Sequence, residues 1–201
     1  MKILGVTGGS GTGKSSVCTI LKEEGGKIID ADKITRKLQQ KGGAAYEEIV
    51  EVFTEEVLLP DGELDRKKLG DIVFADPALL RRLNAIVHKH VTKEMKRRVA
   101  KYSADDTGRY RFLVLDVPIP IEEGFFDTVD YVWAVVANND LRVARLMQRM
   151  GITEEEAEKR ISAQMSNREY EELADCTIVN EEDIFRLRSL VQYELKRFLA
   201  Q

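Results

Sequence analysis

A glycine-rich segment near the start of the chain has the residue types and the spacing of a phosphate-binding loop. Residues 8–15 read Gly-Gly-Ser-Gly-Thr-Gly-Lys-Ser, which fits the pattern G-x-x-x-x-G-K-[ST]. Glycines let the backbone turn so that its amides point inward and hold phosphate oxygens. Lys14 is expected to reach the β- and γ-phosphates, and the Ser15 hydroxyl to bind Mg²⁺. The segment therefore predicts binding of ATP or GTP.

The segment also lies where such a loop belongs, after an apolar run and before a helical pattern. The run Lys2–Thr7 predicts a strand, and Ser15–Glu23 predicts a helix. A chance match in a glycine turn is the alternative, expected in on the order of one random chain in a hundred of this length. The flanking strand and helix make that alternative rarer still.

Two carboxylates follow the second apolar run. Asp30 and Asp32 come at the end of the predicted strand Lys27–Asp30, with Arg36 one turn further on. Ligands of open parallel sheets bind beyond the carboxyl ends of the strands, so these carboxylates would face the same crevice as the phosphate loop. An aspartate there can accept the proton of an attacking hydroxyl or orient that hydroxyl toward the γ-phosphorus. Alternatively, Asp32 caps the turn at 33–38, and spacing alone favours neither role.

A third aspartate ends another apolar run. Asp116 follows residues 112–115, as expected of the acidic residue that assists Mg²⁺ in phosphate-loop enzymes. An apolar run followed by one Asp is common in α/β proteins, so this assignment depends on the glycine-rich segment. Residues 117–120 include Pro118 and Pro120, which cannot extend a central strand. This stiff segment is a candidate wall of the acceptor pocket.

Three arginines share one face of a predicted helix. Arg142, Arg145 and Arg149 are spaced three and four residues apart, and Arg160 lies on the following helix. Converging arginines neutralise the charge that develops on a transferred phosphoryl group. A solvated face paired with the glutamates at 154–156 is the alternative. Beside a phosphate loop, a lid that closes over the nucleotide is the better interpretation.

The elements that must position these residues predict an α/β fold in one domain. Continuous apolar runs favour strands covered on both faces, as in a parallel sheet, and helical patterns between them favour right-handed crossovers. The five predicted strands are Lys2–Thr7, Lys27–Asp30, Arg111–Asp116, Tyr131–Ala137 and Cys176–Val179. The predicted helices are Ser15–Glu23, Asp65–Phe74, Asp76–Tyr102, Leu141–Met150, one opened by a capping box of Thr153 and Glu156, and Asp183–Leu199.

One long stretch of the chain lacks the strand pattern. Residues 44–102 carry several helical patterns and only a short candidate strand at Val57–Leu59. We interpret this stretch as a helical insertion rather than a second autonomous domain. The expected layout of the single domain, 1–201, is a core of about residues 1–40, 108–140 and 174–201, an insertion of about 41–107, and a lid of about 141–173.

Charge and composition exclude several classes of protein. With 31 Lys+Arg against 35 Asp+Glu, the net charge of −4 gives no overall positive field for nucleic acid. The longest apolar run, Tyr131–Ala137, is far shorter than the roughly 20 residues that cross a bilayer. The first residues of the chain do not show the apolar region of a signal peptide. Cys18 and Cys176 are far apart in the sequence, which favours a protein of a reducing compartment and argues against a disulfide framework or a zinc site in the chain. We expect a cytoplasmic protein that binds neither nucleic acid nor membrane, and its oligomeric state stays open.

Motifs elsewhere favour a kinase over a switch GTPase. The N-K-x-D motif is absent, and the only D-x-x-G, at 105–108, lies in a polar loop before a strand. A small kinase with an arginine lid and an acceptor carboxylate fits better. The open alternatives are another small-molecule or nucleoside monophosphate kinase and a regulator that binds ATP without transferring its phosphate.

Several separated blocks of the sequence resemble the dephospho-coenzyme A kinases. They are residues 5–9 with 12–15, Ile-Asp-Ala-Asp at 29–32 with Arg36, Leu-Asn-Ala-Ile-Val-His at 83–88, Asp-Val-Pro at 116–118, and the stretches 145–149, 157–164 and 174–180. Their order and combination are far more specific than the phosphate loop alone. The resemblance implies transfer of the ATP γ-phosphate to the 3′-hydroxyl of the ribose in dephospho-coenzyme A, the last step of coenzyme A synthesis.

The resemblance also implies a P-loop kinase fold, a coenzyme-A-side helical part and a role for each matched residue. Asp32 matches the proposed catalytic carboxylate, acting with Lys14 and Arg145. The residues matched to ATP are Gly8, Gly11, Thr12, Gly13, Lys14, Ser15, Ser16, Arg145, Arg149 and Asn180, the last near the adenine. Those matched to the acceptor are Thr7, Asp32, Arg36, His88 and Pro118. The Mg²⁺ that accompanies ATP would contact Ser15 and, through water, Asp116.

Four positions depart from the pattern of the resembled family. Lys89 stands where Pro usually follows the His, and Thr54 where Gly often follows Phe. Arg142 stands where Gln is common in the lid, and Pro120 where an aliphatic residue is usual. None of these departures falls on Lys14, Ser15 or Asp32, so the expected reaction class is unaffected. The backbone shape near His88 and the details of the lid contacts are left undetermined by the sequence.

Overall fold

The computed structural model describes residues 1–118 and 125–201, and it is organised around one parallel β-sheet. The strands are β1 (Ile3–Thr7), β2 (Gly26–Asp30), β3 (Phe112–Asp116), β4 (Tyr131–Val136) and β5 (Cys176–Val179). They stand in the order β2-β3-β1-β4-β5, and each neighbouring pair is parallel. The five strands and the parallel sheet predicted from the apolar runs are confirmed.

Helices connect the strands. They are α1 (Lys14–Glu23), α2 (Ala31–Leu38), α3 (Ala44–Phe53), α4 (Arg66–Ala75), α5 (Pro77–Ser103), α6 (Asn139–Met150), α7 (Glu154–Ser162), α8 (Asn167–Glu172) and α9 (Ile184–Ala200), with a 3-10 turn at Glu55–Val57. The predicted capping box at Thr153 and Glu156 opens α7, and Ser166 with Glu169 forms a second one that opens α8. No helix in the described parts of the chain has the length and hydropathy needed to span a membrane.

The sheet is buried from both sides, which explains why its strands read as continuous apolar runs. On one face, α1 and α9 contribute Val17 and Val191 to a core that includes Leu4 and Trp133. On the other face, Tyr170 of α8 packs against the small β4 residue Ala134. The buried sheet therefore positions the residues at the ends of its strands.

The carboxyl ends of the strands carry the polar residues singled out in the sequence. Thr7 ends β1, Asp30 ends β2 and Asp116 ends β3. Asp30 lies directly beside Asp116 in the β2–β3 register. Because all strands are parallel, these ends lie along one edge of the sheet, together with the glycine-rich loop that leaves β1.

The chain divides into two compact units, residues 1–30 with 99–201 and residues 31–98. The second unit is helical and has a core of its own, which includes Ile49, Phe53, Val57 and Ile86. The candidate strand at Val57–Leu59 is wrong, because Val57 ends the 3-10 turn and Leu58 forms only a single bridge with Leu64.

Two departures from the family pattern have a local explanation in this helical unit. Thr54 has a φ of 64°, a left-handed value that glycine adopts more readily, and its side chain accepts a hydrogen bond from the amide of Glu56. Lys89 lies within α5, which continues unbroken, and its ammonium bonds Glu48 of α3 at 2.9 Å. Proline at that position would lack the amide that an uninterrupted helix uses.

Candidate active site

The glycine-rich loop connects the end of β1 to the first turn of α1, and its shape requires glycine. Gly8, Gly11 and Gly13 have φ values of 146°, 80° and 90°. A Cβ at Gly8 would also collide with the carbonyl oxygen of Val135, and one at Gly13 with the side-chain amide of Asn180. Both the backbone conformation and the space therefore exclude larger residues, as expected of a loop that wraps phosphates.

The outward carbonyl groups of the loop are held by side chains from distant elements. Arg145 Nη1 lies 3.3 Å from the oxygen of Gly11 and 3.4 Å from that of Thr12, and its Nη2 donates to the carbonyl of Asn180 at 3.0 Å. Asn180 Nδ2 donates to the same Thr12 oxygen at 2.7 Å. In a trans peptide the next N–H points away from the carbonyl, so the amide of Gly13, which follows the Thr12 carbonyl, faces the opposite side of the loop. The Thr12 amide itself donates to the carbonyl of Gly9 at 3.4 Å.

Ser10 is held by two further side chains of the same unit. Arg142 Nε donates to the Ser10 carbonyl at 2.9 Å, and Gln164 Oε1 accepts the Ser10 amide at 2.7 Å. Arg142 is 1% exposed. The prediction that Arg142 belongs to an open lid face is corrected, because its guanidinium is buried against the loop. The alternative pairing with glutamates 154–156 is not seen among the described ion pairs.

The other lid arginines are solvent-facing in this structure. Arg149 and Arg160 are exposed, and neither forms an ion pair among the described residues. Of the three arginines predicted to share one helix face, the structure thus brings Arg142 and Arg145 to the loop and leaves Arg149 outside it.

The lysine of the glycine-rich loop faces a carboxylate. Lys14 Nζ forms an ion pair with Asp116 Oδ1, and the two side chains are only 15% and 13% exposed. Ser15 is exposed and Ser16 is half-buried in the first turn of α1. The structure therefore assembles the predicted Lys14, Ser15 and Asp116 at one end of the sheet, with Asp30 beside Asp116.

A buried thiol lies beneath this cluster. Cys18, one turn after Lys14, belongs to the core between α1 and the sheet. Burial raises the pKa of the Cys18 thiol well above its usual range, and the nearby carboxylate of Asp116 raises it further. Cys18 therefore acts as a small apolar residue of the core.

The oxygen donors of the cluster suit a magnesium ion. Asp116 and Ser15 supply a carboxylate and a hydroxyl, the hard ligands that Mg²⁺ prefers. No group of three or more His, Cys, Asp or Glu with metal-binding geometry occurs among the described residues.

Thr7 and Pro118, both predicted on the acceptor side, lie together. The buried Thr7 hydroxyl donates to the Pro118 carbonyl at 3.3 Å, and Tyr170 Oη donates to the same oxygen at 2.9 Å. Sequence reasoning missed Tyr170, since only the folded chain brings α8 under this segment. Ile119 and Pro120, the rest of the predicted acceptor wall, lie outside the described residues.

The remaining predicted acceptor residues belong to the helical unit of residues 31–98. Asp32 and Arg36 lie four residues apart on α2 and are exposed, and His88 is exposed on α5. The helix begins at Ala31, so Asp32 is in the first turn rather than at the position before it. His90 instead contacts Glu48 at 2.6 Å and ties α5 to α3. An aspartate in a first helical turn is also favoured by the helix dipole.

A family model and curated relatives match this chain. The sequence model of the family described as dephospho-CoA kinase (CoaE) matches residues 2–185. A curated dephospho-CoA kinase of Symbiobacterium thermophilum is 45% identical over 96% of this chain and 79% of the relative, and one of Carboxydothermus hydrogenoformans is 37% identical over 98% and 95%.

Solved structures show the same fold. A dephospho-CoA kinase from Campylobacter jejuni superposes with a TM-score of 0.71 at 26% identity, covering 100% of this chain and 98% of that one. The P-loop NTPase fold expected from the sequence, a five-stranded parallel sheet with flanking helices, is confirmed. With the family model matching most of its length, this chain belongs to the dephospho-CoA kinase family.

Proposed function

We propose that this chain acts as a dephospho-CoA kinase, transferring the γ-phosphate of ATP to the 3′-hydroxyl of the ribose in dephospho-coenzyme A. Family membership makes it an ATP-dependent kinase, a transferase of coenzyme A synthesis. The observation that carries the proposal is the loop of residues 8–15, which has positive φ values at Gly8, Gly11 and Gly13 and whose carbonyls are held by Arg145 and Asn180. Such a loop positions a triphosphate and stabilises the charge that develops during transfer.

At the nucleotide end, the loop and its neighbours bind ATP. Lys14 contacts the β- and γ-phosphates, and Arg145 approaches the transferred group from α6. Asn180 lies near the adenine, and a pocket of about 250 Å³ lined by Val179, Asn180 and Leu187 supports that position. The other proposed ATP-binding residues are Gly8, Gly11, Thr12, Gly13, Ser15, Ser16 and Arg149.

Magnesium accompanies the nucleotide in this proposal. Ser15 would hold it directly and Asp116 through water, since both lie at the end of the loop near Lys14. When bound, Mg²⁺ neutralises charge on the β- and γ-phosphate oxygens. In this proposal Lys14 would contact the phosphates when ATP is bound, and its ion pair with Asp116 belongs to the nucleotide-free chain.

At the acceptor end, Asp32 is the proposed general base. Its carboxylate accepts the proton of the 3′-hydroxyl as that oxygen bonds to the γ-phosphorus, while the bond from the γ-phosphorus to the β–γ bridging oxygen breaks and ADP leaves. Arg36 and His88 are proposed to bind the acceptor. Their polar side chains, like that of Asp32, are exposed and therefore accessible to a ligand. Thr7 and Pro118, which contact each other, are proposed to complete this side.

The parts of the chain have proposed roles as well. We assign the acceptor side to a helical insertion of about residues 41–107 and the lid to about 141–173, within one kinase domain. The two cysteines, Cys18 and Cys176, are free, which supports a reducing cytoplasmic location.

The experiment that tests the function is a phosphoryl-transfer assay on the purified protein. ATP consumption is measured with dephospho-coenzyme A and, in parallel, with a panel of nucleoside monophosphates, each with and without Mg²⁺. We expect Mg²⁺-dependent turnover with dephospho-coenzyme A and a product carrying a 3′-phosphate. Faster turnover with a monophosphate would favour the alternative kinase, and ATP binding without any turnover would favour a regulator.

A further inference from the structure

We propose that Arg142 is a positioning residue for the phosphate loop, which holds Gly9 and Ser10 so that the amide of Gly11 faces the nucleotide. The inference deepens the proposed function and rests on the assignment of residues 8–15 as the ATP site. It concerns the buried side chain of Arg142, for which the proposed function gives no role.

The surroundings of Arg142 are unusual for a charged side chain. It is 1% exposed, and its Nη1 bonds Asn139 Oδ1 at 3.2 Å and Asn167 Oδ1 at 3.3 Å. Among the described residues it has no carboxylate partner, and its Nη2 has no hydrogen bond. Burial lowers the pKa of the guanidinium. A buried cation without a counter-ion is unfavourable for folding alone, which indicates a role in the site.

The contact with Ser10 sets the direction of a loop amide. The Ser10 carbonyl, which accepts from Arg142 Nε at 2.9 Å, belongs to the same trans peptide as the Gly11 amide. In a trans peptide these two groups point in opposite directions, so the bond to Arg142 turns the Gly11 amide toward the other side of the loop. Gln164 restrains the preceding peptide, because it accepts from the Ser10 amide at 2.7 Å and donates to Ser10 Oγ at 3.0 Å.

Gly9 provides the space that the guanidinium occupies. A Cβ built on Gly9 would lie 2.5 Å from Arg142 Nη2 and 3.2 Å from Gln164 Oε1. The φ of Gly9 is outside the left-handed region, so alanine would fit the backbone at this position. Glycine is therefore needed at Gly9 for its small size. The fit of Gly9 and the position of Arg142 should be energetically coupled.

Arg142 adds a further hydrogen bond to the loop beside those of Arg145. The two arginines are three residues apart on α6, and they hold the carbonyls of Ser10 and of Gly11 with Thr12, respectively. The helix thus fixes three successive carbonyls. Because the Arg142 charge is buried, its attraction for phosphate is screened less by salt than that of an exposed arginine.

The test compares nucleotide binding by Arg142→Gln, which removes the guanidinium charge and its donors, with binding by Arg168→Gln. Arg168 is a control of equal charge change on α8, with an 86% exposed side chain paired to Glu172. Calorimetry with ADP and no acceptor should show about tenfold weaker binding for Arg142→Gln, the loss expected for one charged hydrogen bond. Binding by Arg168→Gln should stay within about twofold of the unaltered protein.

Steady-state kinetics separate positioning from a general loss of structure. For Arg142→Gln the KM for ATP should rise about tenfold, while the KM for dephospho-coenzyme A and the kcat stay within about threefold. An unchanged ADP affinity, or equal rises of both KM values, would overturn the proposal. Absence of transfer to dephospho-coenzyme A by the unaltered protein would overturn the proposed function alone, because ADP binding is measured without that acceptor.

Two further variants keep the test decisive if Arg142→Gln does not fold. Gly9→Ala alone should weaken ADP binding by about tenfold. Where Arg142→Gln does fold, adding Gly9→Ala to it should weaken ADP binding little further. Additive losses in the double variant would contradict the coupling. Arg142→Lys keeps the charge but lacks the planar fork, so ADP affinity should stay low. Full affinity in Arg142→Lys would show that charge alone suffices and would overturn the positional role.

Discussion

The ion pair between Lys14 and Asp116 predicts how the protein responds to Asp116→Asn. Both side chains are at most 15% exposed, so the change leaves an ammonium with little water and a weaker acceptor. Breaking a fully buried pair from one side costs about 3–5 kcal/mol, and because asparagine still accepts a hydrogen bond we expect about 2 kcal/mol. For a chain of 201 residues, this corresponds to a fall in Tm of about 4–8 °C.

Thermal unfolding without nucleotide measures this fall. The matched control is Glu23→Gln, which removes a carboxylate from an ion pair with Arg188 whose side chains are 50% and 40% exposed. Exposed pairs contribute about 0–1 kcal/mol, so the Tm of the control should change by no more than about 2–4 °C. Equal falls in the two variants, or no fall in Asp116→Asn, would refute the reasoning.

The same variant separates the two states of Lys14. Without Mg²⁺, Asp116→Asn should bind ADP at least as tightly as the unaltered protein, because Lys14 no longer shares its charge with a carboxylate. With Mg²⁺, kcat should fall by at least about 100-fold, since a group that assists the metal has been neutralised. Markedly weaker ADP binding without Mg²⁺ would show that Asp116 supports the loop instead of competing for its lysine.

Three other changes test separate parts of the site and fold. Lys14→Ala should weaken ATP binding and slow transfer, and unchanged kinetics would contradict the phosphate-loop assignment. Asp32→Asn should lower kcat at least about 100-fold, while calorimetry should show that ATP binding is retained. A near-normal rate would show instead that Asp32 only stabilises the first turn of α2. Hydrogen bonds from Arg97, with others from Arg98, lower the pKa of Glu94 from 4.5 to about 2. Its stabilisation is therefore present above pH 4.5 and lost as pH falls toward 2, and unfolding of Glu94→Gln should depend less on pH in that window.

The strands and the phosphate loop could be predicted because each is specified by neighbours in sequence. Strands buried on both faces read as apolar runs, and the loop carries its own glycines and lysine. The start of α7 was predicted from the capping box at Thr153 and Glu156. The same signal at Ser166 and Glu169 was available for α8, and it was missed because that helix is only six residues long.

The contacts that hold the loop could not be predicted from spacing. Asn180 reaches Thr12 across 168 positions of the chain, and Gln164 reaches Ser10 across 154. Helical periodicity placed Arg142 on the same face as Arg145, yet only the packing of α6 against the loop shows that Arg142 is buried. Local pattern fixes which face a residue occupies, whereas its partner depends on the folded arrangement.

The buried thiol of Cys18 determines how the protein tolerates thiol reagents. The thiolate is the species that alkylating agents and peroxides attack, and burial keeps almost none of it at neutral pH. Burial, with a contribution from the nearby Glu194 carboxylate, also raises the pKa of the Cys176 thiol to about 11. Maleimide labelling of the native protein should consequently be slow. A cysteine introduced on the surface for a fluorescent probe would then be labelled selectively, because the thiols of Cys18 and Cys176 react little.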